Sequence, residues 1–113
     1  MATTEPAAAT ESLERHASIF RALSDPRRLR ILDLLRAGEQ CVCDLQADLD
    51  CGQSLLSFHL KTLRDAGLIS MRKEGRWSHY QIVPAAFEHA ERAAAAYRVP
   101  SAQRRRLPVA CCA

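Results

Sequence analysis

Cys41 and Cys43 stand either side of a single valine, Cys111 and Cys112 are adjacent, and Cys51 lies alone between the two pairs. Thiolates are soft ligands, so clustered cysteines suit the capture of soft metals and metalloids. Zinc usually takes four ligands, often with histidine. Trivalent arsenic takes three thiolates in a pyramid, which Cys41, Cys43 and one of Cys111 or Cys112 would supply. Cys51 is either a further ligand or a small apolar residue tucked beside a helix. Five cysteines is an odd number, and neighbouring cysteines make a strained disulfide, so a disulfide framework fits poorly. The competing chemistry is oxidation of the same thiols, and Arg104, Arg105 and Arg106 near the tail pair would favour their thiolate forms.

The elements that must position these groups follow from apolar spacing. Leu13, Ala17, Phe20 and Leu23 predict a helix from Glu11 to Ala22. Asp25 caps a second helix that starts at Pro26 and runs to about Arg36, with Leu29, Ile31, Leu32 and Leu35 as its core residues and Gly38 after its end. A short helix from Val42 to Leu49 comes next, then the turn Asp50-Cys51-Gly52. A stronger helix runs from Gln53 or Ser54 to about Ala66, with Leu56, Leu60 and Leu63 on one face. Strands from Leu68 to Arg72 and from Trp77 to Val83 flank the hairpin turn Lys73-Glu74-Gly75-Arg76, and Pro84 opens a last helix to about Tyr97. The order α-α-α-α-β-β-α is that of a mainly helical, winged helix-turn-helix domain.

Such a fold presents its second motif helix to the major groove of DNA. Opposite the leucines that helix carries Gln53, Ser54, Ser57, Phe58, Lys61 and Arg64. Gln53 and the serines can hydrogen-bond base edges or phosphates, Lys61 and Arg64 can neutralise phosphates, and Phe58 can touch a thymine methyl. Arg72, Lys73 and Arg76 at the hairpin suit a wing against the backbone or minor groove. His59 flanks this face and is expected either to pack the helix on its neighbours or to contact DNA. In a helix of about 3.6 residues per turn, Cys41 and Cys43 would point to nearly opposite sides. Capture of one ion by both is therefore expected to distort the short helix and so weaken DNA binding.

The segments Leu23-Ser24-Asp25-Pro26-Arg27-Arg28-Leu29-Arg30-Ile31-Leu32, Cys41-Val42-Cys43-Asp44-Leu45, Ser54-x-x-Ser57-x-His59-Leu60 and Arg76-Trp77-x-x-Tyr80 together resemble the ArsR/SmtB family of metal-responsive repressors. The resemblance covers roughly residues 11–97. It implies a homodimer built on the first and last helices, a double-stranded operator of dyad symmetry, and derepression of a resistance operon when metal binds. The implied inducer is trivalent arsenic, as arsenite or methylarsenite, with cadmium or lead as the alternative. Gln46 stands where enteric-type arsenic sensors have a third cysteine, which turns attention to Cys111 and Cys112. The N-terminal segment lacks the extra cysteines of the cadmium and lead sensors. Pro84 and Ala86 occupy zinc-sensor positions and cannot ligate, leaving His89, Glu88 and Glu91 on the last helix.

The chain has 113 residues, 48% hydrophobic and 26% charged, with a net charge of +3. That bounds one domain, expected over residues 11–97 between a disordered tail at 1–10 and a flexible tail at 98–113. Fully extended, the stretch from Tyr97 to Cys111 spans about 45 Å, enough to reach Cys41 and Cys43 in either subunit. No apolar run is long enough to cross a bilayer and Ala2 to Thr10 does not read as a signal peptide, so a cytoplasmic protein with no membrane partner is expected. There is no glycine-rich phosphate loop or α/β scaffold, and His16, His59, His79 and His89 form no catalytic motif with the cysteines, so an enzyme is not expected.

Overall fold

A computed structural model describes residues 5–103 of the chain, with side chains over residues 12–102. Helix α1 spans Glu5–Ala22, α2 Pro26–Leu35, α3 Val42–Asp48, α4 Gln53–Asp65 and α5 Pro84–Ala95. Strands β1 (Gln40–Cys41), β2 (Ile69–Glu74) and β3 (Trp77–Ile82) form one antiparallel sheet in the order β1-β3-β2. Cys111, Cys112 and Arg104 to Arg106 lie outside the described residues.

Local chemistry sets the boundaries. Pro6 and three alanines carry α1 back to Glu5, so residues 5–10 are helical where a tail was expected; proline suits a first turn and alanine is the strongest helix former. Asp25 caps α2, its carboxylate accepting from the N–H groups of Arg27 at 2.8 Å and Arg28 at 3.4 Å. Gly67, at φ 80°, ends α4: its N–H bonds Arg64 O, and the Leu68 N–H reaches back to Leu63 O. Both leucines are fully buried, so the cap also seats the start of the sheet. Glu74 pairs with Trp77 around the two-residue turn Gly75-Arg76, where Gly75 adopts a φ of 65°.

One core gathers Ile19 and Ala22 from α1, Ile31, Leu32 and Leu35 from α2, Leu45 from α3, Leu56, Leu60 and Leu63 from α4, and Ile69 and Tyr80 from the sheet. Leu29, expected in it, lies outside at 47% exposed, and of the residues whose spacing predicted α1, Leu13 at 53%, Phe20 at 37% and Ala17 are exposed as well. Helical spacing identifies apolar positions but not which side of a helix the chain's own core covers, and α1 and α2 turn Ile19, Ala22, Ile31 and Leu35 inward instead. The exposed leucine of α2 joins Leu23, Leu32, Ile82 and Phe87 in an apolar groove of about 810 Å³ between α2 and α5. Strand β1 was not anticipated, being too short to show alternation. No helix of the described residues is long and apolar enough to cross a membrane.

Candidate functional site

Helices α3 and α4, joined by the turn at residues 49–52, form the helix-turn-helix. At about 1.5 Å per residue α4 is about 20 Å long. Its buried face holds Leu56, Leu60 and Leu63, which leaves Gln53, Ser54, Ser57, Phe58, Lys61 and Arg64 exposed. Phe58 is 57% exposed, a large apolar ring offered to solvent on an otherwise polar face. Lys61 pairs with Asp65 one turn on, at 2.8 Å. This pair is well exposed and contributes little to stability, so the ammonium remains free to move to a phosphate.

His59 does not share this face. It is 3% exposed and packs inward, which removes it from the set of base-reading candidates. Its Nδ1 lies 3.0 Å from Arg28 Nη1. A guanidinium only donates, so Nδ1 accepts and the imidazole is neutral, its proton on Nε2, which has no partner among the described residues. Arg28, itself buried, also donates from Nε to Ala22 O at 2.7 Å and from Nη2 to Arg21 O at 3.3 Å. One side chain of α2 thereby satisfies carbonyls at the C-terminal end of α1 and fixes the recognition helix. Sequence reasoning missed Arg28, because an arginine is rarely buried unless paired.

Burial pushes the His59 pKa below the ordinary imidazole value; the charges of Arg28 and Arg27 act the same way against the opposing pull of Asp25. The unfolded imidazole takes its proton near pH 6.5, and the folded one only at lower pH. Between those values the unfolded state binds more protons, so acid favours unfolding. Stability is expected to fall as pH drops below about 6.5, with a contribution from this group of at most about 1.4 kcal/mol per pH unit. A His59→Gln variant accepts from Arg28 without titrating. Urea midpoints measured from pH 7 to pH 5 should fall less steeply in that variant, and equal slopes would refute the assignment.

The wing carries Lys73 and Arg76 in the open, whereas Arg72 is engaged. Its guanidinium grips Glu39, with Nη2 to Oε1 at 2.6 Å and Nε to Oε2 at 3.1 Å, and reaches Glu74 at 3.4 Å. The Arg72 hydrogen bond holds the Glu39 carboxyl below the usual carboxylate range. Arg72 was expected at the DNA, and here it braces the wing against the loop before β1.

Cys41 and Cys43 converge. Their sulfurs stand 2.7 Å apart, with Cys43 donating to Cys41, and the Cys43 N–H also points at Cys41 Sγ at 3.4 Å. The expectation of opposed side chains fails because α3 begins at Val42. Cys41 is its N-cap, with extended backbone at φ −74° and ψ 149°, so the helical angle between residues two apart does not apply. Both thiols face one point without unwinding the helix, and distortion of its first turn is not needed for capture. The hydrogen bond to Cys41, aided by some desolvation and by the charges of Cys41 and Asp44, raises the Cys43 thiol pKa above its ordinary value. That keeps Cys43 protonated and less ready for oxidation.

Cys51 is half-buried against the core, and its carbonyl accepts from Gln46 Nε2 at 2.8 Å. Gln46 ties the turn of the motif together. Among the described residues no group of three or more His, Cys, Asp or Glu is placed to hold a metal, which separates Cys51 from the thiol pair. On the last helix, His89 lies beside His16 of α1, with ring centroids 5.1 Å apart.

A helix-turn-helix over an exposed polar helix face, flanked by a basic two-stranded wing, defines a winged helix-turn-helix DNA-binding protein. The family model described as bacterial regulatory protein, arsR family, matches residues 25–71. Over 74 residues the chain is 46% identical to an uncharacterized HTH-type transcriptional regulator of Methanocaldococcus jannaschii, spanning 65% of this chain and 83% of that one. Over 74 residues it is 43% identical to the arsenical resistance operon repressor of Bacillus subtilis, spanning 65% and 70%. The solution structure of a homodimeric winged helix-turn-helix DNA-binding domain from Mycobacterium bovis superposes with a TM-score of 0.64 at 31% identity, covering 87% of this chain and 84% of that one. The chain belongs to the arsR family of bacterial regulatory proteins. It is a DNA-binding transcriptional regulator and not an enzyme.

Proposed function

We propose that the protein is a cytoplasmic homodimeric repressor of an arsenic-resistance operon, which releases its operator when Cys41 and Cys43 capture trivalent arsenic. The observation that carries this reading is the 2.7 Å approach of the two sulfurs at the N-cap of the first motif helix. The arsenical-resistance relative supports the choice of effector. Arsenite arrives as arsenious acid, As(OH)3. Each thiol that attacks forms an As–S bond and breaks an As–O bond, and its proton leaves with the hydroxide as water. Cys41, which accepts hydrogen bonds from both the S–H and the N–H of Cys43, is the sulfur prepared to attack first. Cys111 or Cys112 supplies the third thiolate.

Gln53, Ser54, Ser57 and Phe58 read the major groove, and Lys61, Lys73 and Arg76 neutralise phosphates. A second copy covers the exposed Leu13 and Phe20 of α1 and the α2–α5 groove, apolar surface that the monomer leaves in water.

A duplex selected by the protein from a random pool serves as operator, and sodium arsenite is titrated into the complex. Release is expected. Release by cadmium or lead but not by arsenite would move the effector to those metals. Release by peroxide alone, reversed by reductant, would make the pair a redox switch. In a Cys111→Ser/Cys112→Ser variant the arsenite needed for release should rise at least about tenfold, because a tethered third ligand acts at high effective concentration. An unchanged response would show that two thiolates suffice, as methylarsenite requires.

A further inference from the structure

Cys41 belongs to two elements at once. It caps α3, and it is the second residue of β1, paired with His79 of β3. His79 is in turn paired with Arg72 of β2. Cys41, His79 and Arg72 therefore form one row across the three strands. Directly paired residues share a face of the sheet, and strands lie about 4.8 Å apart, so the row is about 10 Å from end to end. Glu39, two residues before Cys41, closes the row by gripping Arg72 with both carboxylate oxygens. Glu74 touches Arg72 at 3.4 Å and His79 at 3.4 Å. The next residues along β2 and its turn are Lys73 and Arg76, the open cations of the wing.

We infer that this row carries the effector's signal from the thiols to the wing, with the Glu39–Arg72 ion pair as its positioning element. The inference rests on the thiol pair being the effector site. Capture links the Cys41 side chain, on β1, to Cys43, in the first turn of α3, and β1 is only two residues long, too short to isolate the sheet from that link. The added constraint passes to β3 through the ladder and to β2 through Glu39 and Arg72. The element with two states is the wing, docked on residues 39–41 or released from them. In the docked state Lys73 and Arg76 are held at a fixed distance from α4, as simultaneous contact with backbone and groove requires.

The test compares native protein with Glu39→Gln and Glu39→Asp, using sodium arsenite and a duplex selected by the native protein. Arsenite binding is read from the ultraviolet sulfur-to-arsenic absorption, DNA binding from fluorescence anisotropy, and folding from thermal unfolding. All three proteins should bind arsenite equally, within about twofold. The loss of DNA affinity on saturation with arsenite should shrink at least tenfold in Glu39→Gln, with Glu39→Asp, which keeps the charge, lying between. If native protein develops no absorption band, the effector site itself is wrong and this inference falls with it. If the band forms and folded Glu39→Gln releases DNA as fully as native protein, the effector site stands and the row is not the route.

Discussion

Replacing Cys41 with serine is expected to abolish release of DNA by arsenite while leaving the unliganded protein folded and bound to DNA. Serine cannot act as a soft ligand, so the site keeps Cys43 without the partner beside it. Losing a ligand already held in place forfeits the effective concentration that made the second bond easy, a factor of about 10²–10⁴. The fold tolerates the change, because position 41 is a helix N-cap with a side chain that accepts from the N–H two residues on, a role serine fills better than cysteine. Cys43→Ser should lose the response equally, since it removes the other converging sulfur. The measurement is an arsenite titration of the protein–DNA complex alongside a thermal melt. A Cys41→Ser protein that still releases DNA at native arsenite levels would exclude the pair as the sensor.

The second large effect falls on stability. Arg28→Met is expected to cost about 2–4 kcal/mol, read as a lower urea midpoint. Methionine matches the length of the arginine stem but donates nothing. Arg21 O keeps the Ser24 hydroxyl as a donor at 2.7 Å, whereas Ala22 O loses the guanidinium that served it at 2.7 Å. His59 Nδ1 loses its donor as well, inside the core, and a buried polar atom left without a partner costs more than the hydrogen bond contributed. Arg28→Lys should recover only part of the loss, because an ammonium cannot fork to α1 and α4 together. A midpoint unchanged in Arg28→Met would show that these contacts contribute nothing to stability.

The parts of this fold legible in the sequence are those with local causes. Asp25-Pro26 announces a capped helix start, Leu56, Leu60 and Leu63 mark the inner face of α4, and Gly75 places the wing's turn; the structure shows each. Leu13, Phe20 and Leu29 misled, because periodicity does not distinguish a face turned to the chain's own core from one turned to a partner. The thiol pair was legible as chemistry but not as geometry. The expected helix already began at Val42, so Cys41 stood outside it and the helical angle never governed the pair; as an extended N-cap, Cys41 turns its sulfur toward Cys43. Strand β1 and the Glu39–Arg72 grip were hidden for another reason. Their partners lie more than thirty residues apart in the chain, and no local rule pairs them.

Because the side chain that caps α3 is also one of the two thiols proposed to capture the effector, the protein cannot be optimised for robustness and for responsiveness at position 41 together. Any selection for heat resistance alone, in the laboratory or in a lineage no longer exposed to the effector, favours serine there and yields a sturdier regulator that never lets go.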